Sequence, residues 1–212
     1  MKKLFTILLC LAALVNTSVA KEKSDKEQKD WGYLTGSLES TNHFYVEDVA
    51  NSFFPSAQVQ LKDDNIFATN NYLKLDYNKG RLSAGMQMEG YFPTLVGYPI
   101  PVNKLSLTNL YATWRDKSWS VTAGSFYEQF GSGLLFRSWE DRALGLNNAL
   151  MGARLTYSFN DIVSVKAIWG LPRFGMKFSE TQVKGADVSF ALSNLAGWQK
   201  TYWALEASLL DR

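Results

Sequence analysis

The chain contains 212 residues, of which 46% are apolar and 20% are charged, so its composition is that of a folded protein rather than a disordered one. Lys and Arg number 22 against 20 Asp and Glu, a balance that argues against a nucleic-acid partner recognised by charge. One Cys and one His exclude a disulfide scaffold, a Cys-ligated zinc site and any two-His metal site. We therefore expect neither a metal nor a cofactor.

The N-terminus has the pattern of an export signal. Lys2 and Lys3 precede a short apolar core over residues 4–15, and the small residues Ser18, Val19 and Ala20 suit a cleavage site. The pattern predicts a signal peptide over residues 1–20 and a charged spacer over residues 21–30. After this cut, no apolar stretch is long enough for a transmembrane helix, so a helical inner-membrane protein is not expected.

Beyond the spacer, the hydrophobicity alternates with a period of two and no helix is predicted. Such alternation is typical of β-strands that have one apolar and one polar face. We predict nine strands, over Trp31–Glu39, Ala68–Tyr77, Arg81–Gly90, Leu105–Arg115, Ser118–Ala123, Met151–Phe159, Val163–Gly170, Ala186–Ser193 and Tyr202–Leu209. Trp31–Glu39, Ala68–Tyr77 and Leu105–Arg115 alternate less regularly than the others.

The connections between the predicted strands alternate between short and long. The short ones are the hairpin turns Asn78–Gly80, Asp116–Ser118 and Asn160–Asp161. The long ones are Ser40–Phe67, Phe92–Lys104, Glu128–Asn148 and Pro172–Lys184. In an up-and-down meander this order puts all short turns at one edge and all long loops at the other. Transmembrane β-barrels have this asymmetry, so residues 31–212 are predicted to be an antiparallel outer-membrane β-barrel.

Aromatic residues lie beside the short turns, on the apolar side of their strands. They are Tyr77, Trp114, Trp119 and Phe159, while Trp169 lies at the other end of its strand. Taken singly, each would suit the core of a soluble β protein. Together with the loop asymmetry they favour aromatic girdles at the two membrane interfaces. The predicted location is the outer membrane of a Gram-negative bacterium, with membrane lipid as a partner.

The predicted strand number is odd, whereas bacterial single-chain barrels close with an even number. The chain also stops within an alternating run, at Leu209–Arg212, without a terminal aromatic residue. We therefore expect an incomplete barrel that forms the N-terminal part of a longer protein.

Several segments resemble one known family. These are Phe126–Leu135 running into Arg137–Gly145, together with Gly36–Ser40, Tyr45–Asp48 and Asn70–Leu75. They resemble an uncharacterised Bacteroidetes family of outer-membrane β-barrels whose domain has no known function. The resemblance implies the fold and the location, but it carries over no catalytic residue because the family has no established activity.

The Glu128–Asn148 segment combines charged and apolar residues. It has opposed charges at Arg137, Glu140, Asp141 and Arg142, and it is too apolar for a freely solvated loop. One interpretation is a loop that folds into a polar lumen, where these four residues form a solute-binding constriction. The alternative is a self-packed external loop that caps the barrel mouth.

Three functions remain open at this point. The first is a pore or uptake channel for small polar solutes, and the second is a non-conducting scaffold for a secretion or surface-assembly protein. The third, a rim-active enzyme, has little support, because His43 with Glu47 and Asp48 forms no known catalytic motif. We therefore predict no catalytic residue. Asp63–Asn65 is read as a polar loop tip, since it lacks the later ligands of a calcium-binding loop.

Overall fold

The computed structural model describes residues 31–45, 66–98, 103–198 and 200–212. Contacts divide the chain into Met1–Trp31 and Gly32–Arg212, and the whole sheet lies in the second unit. The predicted signal peptide and spacer, residues 1–30, lie outside the described residues. Among the residues that are described, no helix has the length and apolar content needed to cross a membrane.

Nine antiparallel strands form one meander in which each strand pairs with the next long strand along the chain. They are β1 Tyr33–Phe44, β2 Phe67–Lys79, β3 Leu82–Tyr91, β4 Lys104–Arg115, β5 Trp119–Phe126, β8 Leu150–Phe159, β9 Val163–Phe174, β11 Val183–Ala191 and β12 Ala204–Asp211. The short β10 (Lys177–Phe178) pairs with β9, while β6 (Glu140–Asp141) pairs with β7 (Leu146–Asn147) in a separate ribbon. The predicted all-β antiparallel class is confirmed, with all nine strands present.

The two edges of the meander are β1 and β12. Within the described part of the chain, β1 pairs only with β2 and β12 only with β11. The sheet is therefore open between these edges, and these strands do not form a closed barrel.

The β8–β9 hairpin shows why the short turns form where the sequence predicts them. Asn160 and Asp161 both have positive φ, 48° and 54°, which Asn and Asp tolerate better than most residues. Two successive positive φ values match the right-handed twist of the flanking strands, so the turn is tight.

One connection at the short-turn edge departs from the prediction. Residues 192–203 are longer than a hairpin turn and begin with a short helix, α1 (Leu192–Ala196), where we predicted the end of a strand. The helix ends at Gly197, which has a φ of 69°. The Trp203 amide donates a hydrogen bond to the Ser193 hydroxyl, so the connection folds back on itself before β12. The end of the helix at Gly197 and the Ser193 hydrogen bond thus set the local structure here, although the sequence alternates as in a strand.

A register shift explains the irregular alternation of β4. The pairing of β3 with β4 shifts between Gln87 and Met88, which leaves Thr108 as an extra residue in β4. The Thr108 hydroxyl donates a hydrogen bond to the Gln87 carbonyl at 3.1 Å. Because of this bulge, Leu107 and Leu110 lie on the same face although they are three residues apart.

The sheet buries polar side chains on one face and exposes apolar side chains on the other. We call these the polar face and the apolar face. Buried residues of the polar face include Asn70, Gln87, Glu89, Asn109, Thr113, Thr122, Arg173 and Asp187. Exposed residues of the apolar face include Leu38, Leu82, Leu105, Leu107, Leu110, Trp114, Trp119, Val121, Leu155, Phe159, Trp169 and Leu205. A water-soluble sheet has the reverse arrangement, with its apolar face against a core.

Candidate functional site

The residues between β5 and β8, which we call the 127–149 loop, fold over the polar face. The loop has its own backbone hydrogen bonds, including Phe130 N–H to the Phe136 carbonyl at 3.0 Å and Ser138 N–H to the Glu128 carbonyl at 2.9 Å. Its second half contains the β6–β7 ribbon. The loop is thus a structured element whose side chains have fixed neighbours.

An apolar contact anchors the first half of this loop. Phe130, which is 2% exposed, packs in a cluster on the polar side of the sheet, and Phe136 packs against the same cluster. The other buried members come from four strands: Phe126, Leu150, Ile168 and Val183. This cluster accounts for two of the apolar residues of the loop, Phe130 and Phe136. Other apolar residues of the loop stay outside it, among them Leu134, which is 95% exposed.

Glu128 joins the base of the loop to the sheet wall. Its carboxylate lies 3.4 Å from the Arg154 guanidinium of β8 and 3.0 Å from the Lys166 ammonium of β9. Lys166 also donates a hydrogen bond to the Gln129 carbonyl at 2.8 Å. Two cations therefore share one buried carboxylate, and the charge of one of them is not balanced within this cluster.

Arg142 joins the tip of the second half of the loop to strands β1, β2 and β3. Its guanidinium pairs with Glu39 of β1 at 2.5 Å and with Glu140 at 3.4 Å, and it lies 4.5 Å from the centre of the Tyr72 ring. Glu140 also accepts a hydrogen bond from the Gln87 amide of β3 at 2.8 Å. Burial alone would lower the pKa of Arg142, but the carboxylates of Glu140 and Glu39 raise it above its ordinary value. Arg142 is therefore charged at any physiological pH.

A further ion pair bridges two distant strands above the polar face. Both oxygens of Glu89 on β3 accept hydrogen bonds from the Arg173 guanidinium of β9, at 2.8 and 2.6 Å, and both residues are at most 5% exposed. In the sheet order these strands are four positions apart, which in a flat sheet would separate them by about 19 Å. The sheet must therefore curve so strongly that its polar face is concave.

A cavity of about 330 Å³ lies between the loop and the concave wall. Its charged lining residues are Lys74, Arg115, Arg142, Arg154 and Glu140. Asn109, Tyr111, Thr113, Thr122 and Tyr127 add polar groups to the lining. Burial, with Glu140 nearby, raises the pKa of Tyr127 to about 12, so its hydroxyl stays neutral at physiological pH.

The four predicted site residues separate into two groups. Glu140 and Arg142 meet at the cavity, as the constriction hypothesis requires. Asp141 instead accepts hydrogen bonds from the Ala143 and Leu144 amides at 3.0 and 3.1 Å, so it shapes the turn of the ribbon. Arg137 lies 5.0 Å over the Trp139 ring and is absent from the cavity lining. Whether any of the four binds a solute remains a prediction.

Sequence reasoning missed other residues of the site. Lys74 and Arg115 lie in the middle and at the end of strands, and Arg173 falls in a segment predicted as a loop. A charged residue on the inward side of an alternating strand is the signal that could have identified Lys74 and Arg115. No local signal pairs Glu89 with Arg173, because 84 residues separate them.

The weaker motifs form no site among the described residues. The exposed His43 lies with its Nδ1 3.4 Å from the hydroxyl of the partly buried Tyr45, while Glu47, Asp48 and Asp63–Asn65 lie outside the described part of the chain. Within the described ranges, no group of three or more His, Cys, Asp or Glu side chains is placed to hold a metal ion.

The chain belongs to a family of unknown function (DUF6029), whose model matches residues 1–212. Comparison with curated proteins finds no match. The predicted resemblance to a family without an assigned function is therefore confirmed. The bacterial group and the outer-membrane location that the resemblance implied stay predictions.

Proposed function

We propose that the protein is an outer-membrane β-barrel protein whose 127–149 loop narrows a polar lumen through which small solutes pass. The observation that carries this proposal is the inverted distribution of side chains in the sheet. Charged and amide side chains are buried on the concave face, while large apolar side chains are exposed on the convex face. Lipid is the environment in which exposure of apolar side chains is favourable. Strands of transmembrane barrels accordingly alternate between apolar residues that face the lipid and polar residues that face the lumen.

The positions of the aromatic residues support the same proposal. Trp114, Trp119 and Phe159 are between 39% and 51% exposed, and each lies next to a short turn. Trp169 is 47% exposed, but it lies in the middle of β9 because this strand continues to Phe174, beyond the predicted end at Gly170. The prediction that Trp169 lies at the far end of its strand is therefore wrong, and the rings beside the short turns are the ones that support a membrane interface.

Curvature and loop contacts support a lumen. The loop reaches β1 through Arg142–Glu39 and β9 through Glu128–Lys166, so it touches both halves of the meander. The Glu89–Arg173 pair also requires a concave polar face. A structured loop held by ion pairs inside a concave polar wall would restrict the passage of solutes and select among them by charge.

A second candidate is a non-conducting scaffold for a surface-assembly partner. The exposed Leu134 and its half-exposed neighbour Leu135 favour it, because these apolar side chains project from the loop next to Gly133, which turns the chain with a φ of 87°. In this case the loop would present a contact surface and the lumen would carry no current.

Single-channel recording separates the two candidates. The full chain, reconstituted in a planar bilayer, should conduct, and deletion of 133–144 should raise the conductance because it removes Glu140 and Arg142 from the polar face. The single variant Arg142→Ala should raise the conductance by less than the deletion does. It provides a second test if the deletion variant does not assemble. Absence of conductance in the assembled wild type, the deletion variant and Arg142→Ala would exclude the channel and favour the scaffold.

A further inference from the structure

The cavity between the 127–149 loop and the wall has an excess of cationic lining residues. Four of its five charged side chains are cations, at Lys74, Arg115, Arg142 and Arg154, and the fifth is Glu140. The remaining acids of the polar face do not line it: Glu39, Asp76, Glu89, Glu128, Asp187 and Glu206. The surface that a solute would touch is therefore positive, although the polar face as a whole carries both signs.

Three of these cations have partners that neutralise part of their charge. Arg142 pairs with two carboxylates, Lys74 lies 3.3 Å from Asp76, and Arg154 shares Glu128 with Lys166. Arg115 differs from them, since none of the ion pairs among the described residues includes its guanidinium. The positive excess is thus greatest beside Arg115 and Arg154.

The register of the sheet places these two arginines close together. Arg115 on β4 pairs with Ser120 of β5, which pairs with Thr156 of β8. Thr113, Thr122 and Arg154 form the next row in the same three strands. Two rows of one face are about 7 Å apart along a strand, and β4 and β8 are about 10 Å apart across β5. Two long guanidinium side chains span such a distance, so both can reach one ligand.

We infer that this cavity binds small organic oxyanions, carboxylates or phosphate monoesters, with Arg115 and Arg154 as the principal anion-binding groups. A guanidinium binds either oxyanion through two parallel N–H···O bonds, which neutral solutes cannot match. The hydroxyls and amides of the lining, including Asn109 and Tyr127, suit a hydroxylated body attached to the anionic group. The volume is at the lower end of that of small-molecule pockets. The inference deepens the proposed function, because it rests on the cavity being part of the lumen.

Three hexoses of similar shape test the ligand class. Glucose, glucuronate and glucose 6-phosphate differ mainly in the group at one end, and their binding to the full chain folded in detergent can be measured by isothermal titration calorimetry. We expect at least one of the two anions to bind about 10-fold more tightly than glucose, because one charge-assisted hydrogen bond changes affinity by about this factor. Tighter binding of glucuronate alone assigns the site to carboxylates, and tighter binding of glucose 6-phosphate alone assigns it to phosphates. Equal affinity for all three sugars, or no binding, would overturn the inference.

Matched variants test the residues. Arg115→Gln should weaken binding of the preferred anion about 10-fold and leave glucose binding unchanged. Arg81→Gln is the control, since it removes the same charge at the neighbouring turn, where Arg81 pairs with Asp116 at 3.2 Å outside the cavity. Equal weakening by both variants would mean a general effect of surface charge and would refute the site. Lys74→Gln provides a second lining variant if Arg115→Gln does not fold.

The outcome separates this inference from the proposed function. Anion binding that depends on Arg115 without any conductance would retain the site and refute the channel. Conductance without a preference for either anion would retain the channel and refute the site.

Discussion

At the scale of single residues, the Glu89–Arg173 pair is the most buried charged contact of the described fold. Both side chains are at most 4% exposed, and Tyr91 donates a further hydrogen bond to Glu89 at 2.9 Å. Arg173 also donates to the Gly175 carbonyl at 2.6 Å. Removing two charges from water is costly, so such a pair is maintained only when both partners are well hydrogen-bonded. Here the pair holds β3 and the end of β9 in contact above the polar face.

Glu89→Gln should destabilise the folded protein by roughly 3–5 kcal/mol, because it leaves the buried Arg173 guanidinium without its counter-charge. The measurement is urea unfolding of the protein folded in detergent or lipid vesicles. Asp116→Asn is the matched control, since it breaks the solvent-exposed pair with Arg81 and should cost at most about 1 kcal/mol. Similar unfolding midpoints for both variants would show that the bridge does not hold the fold together.

At the scale of structural elements, the 127–149 loop is held to the wall at two separate points. Phe130 fills an apolar cluster near β8, β9 and β11, and Arg142 reaches β1 and β3. The apolar contact is the stronger anchor, since Phe130 is almost fully buried whereas the Arg142 side chain is 28% exposed. Loss of the ring should therefore release the first half of the loop while the strands stay paired.

Phe130→Ala should cost roughly 3 kcal/mol of loop packing, at the lower end of what removal of a buried phenylalanine costs. The Arg137 side chain is already exposed, but its backbone is held in a bridge with Gln129. Opening of the loop would free this backbone for trypsin, and cleavage after Arg137 should accelerate by about 100-fold. The matched control is Leu134→Ala in the same loop, because Leu134 is exposed and its truncation should leave the cleavage rate unchanged. Equal cleavage rates in the two variants would contradict the anchoring role of Phe130.

Alternation in the sequence predicted the strands well because each strand is amphipathic by itself. The hairpin turn at Asn160–Asp161 follows from the local pattern alone. The same pattern puts Glu89 and Arg154 on the polar face of their strands, where the structure has them. The α1 helix was missed because its capping by Gly197 has no counterpart in the period-two pattern.

Contacts across the concave face could not be predicted in the same way. Arg142 finds Glu39 across 103 positions of sequence, and Glu89 finds Arg173 across 84. Such pairs depend on how strongly the sheet curves, which is a property of all nine strands together. The same holds for Arg115, which has no ion-pair partner among the described residues. Which cations keep a carboxylate partner depends on how the loop packs, and the sequence does not show this.

At the scale of the whole molecule, the described fold is a curved meander with its polar groups inside and its apolar groups outside. A soluble protein with this distribution would expose a large contiguous apolar surface to water, at the usual cost of about 25 cal/mol per Å². Insertion in a bilayer removes that cost, because the convex side chains then contact lipid tails. The membrane proposal thus explains both faces of the sheet with one environment.

Lipid contact at neighbouring positions of one strand tests this account most directly. In a Cys10→Ser background, which removes the only Cys of the chain, single cysteines at Leu155 and Thr156 would carry a fluorophore on opposite faces of β8. Leu155 is 44% exposed on the convex face, while the Thr156 hydroxyl lies 2.7 Å from that of Ser120 on the concave face. In vesicles of brominated phosphatidylcholine, the account predicts strong quenching of the label at 155 and little at 156. Equal quenching at both positions, or quenching by aqueous iodide at 155, would contradict it.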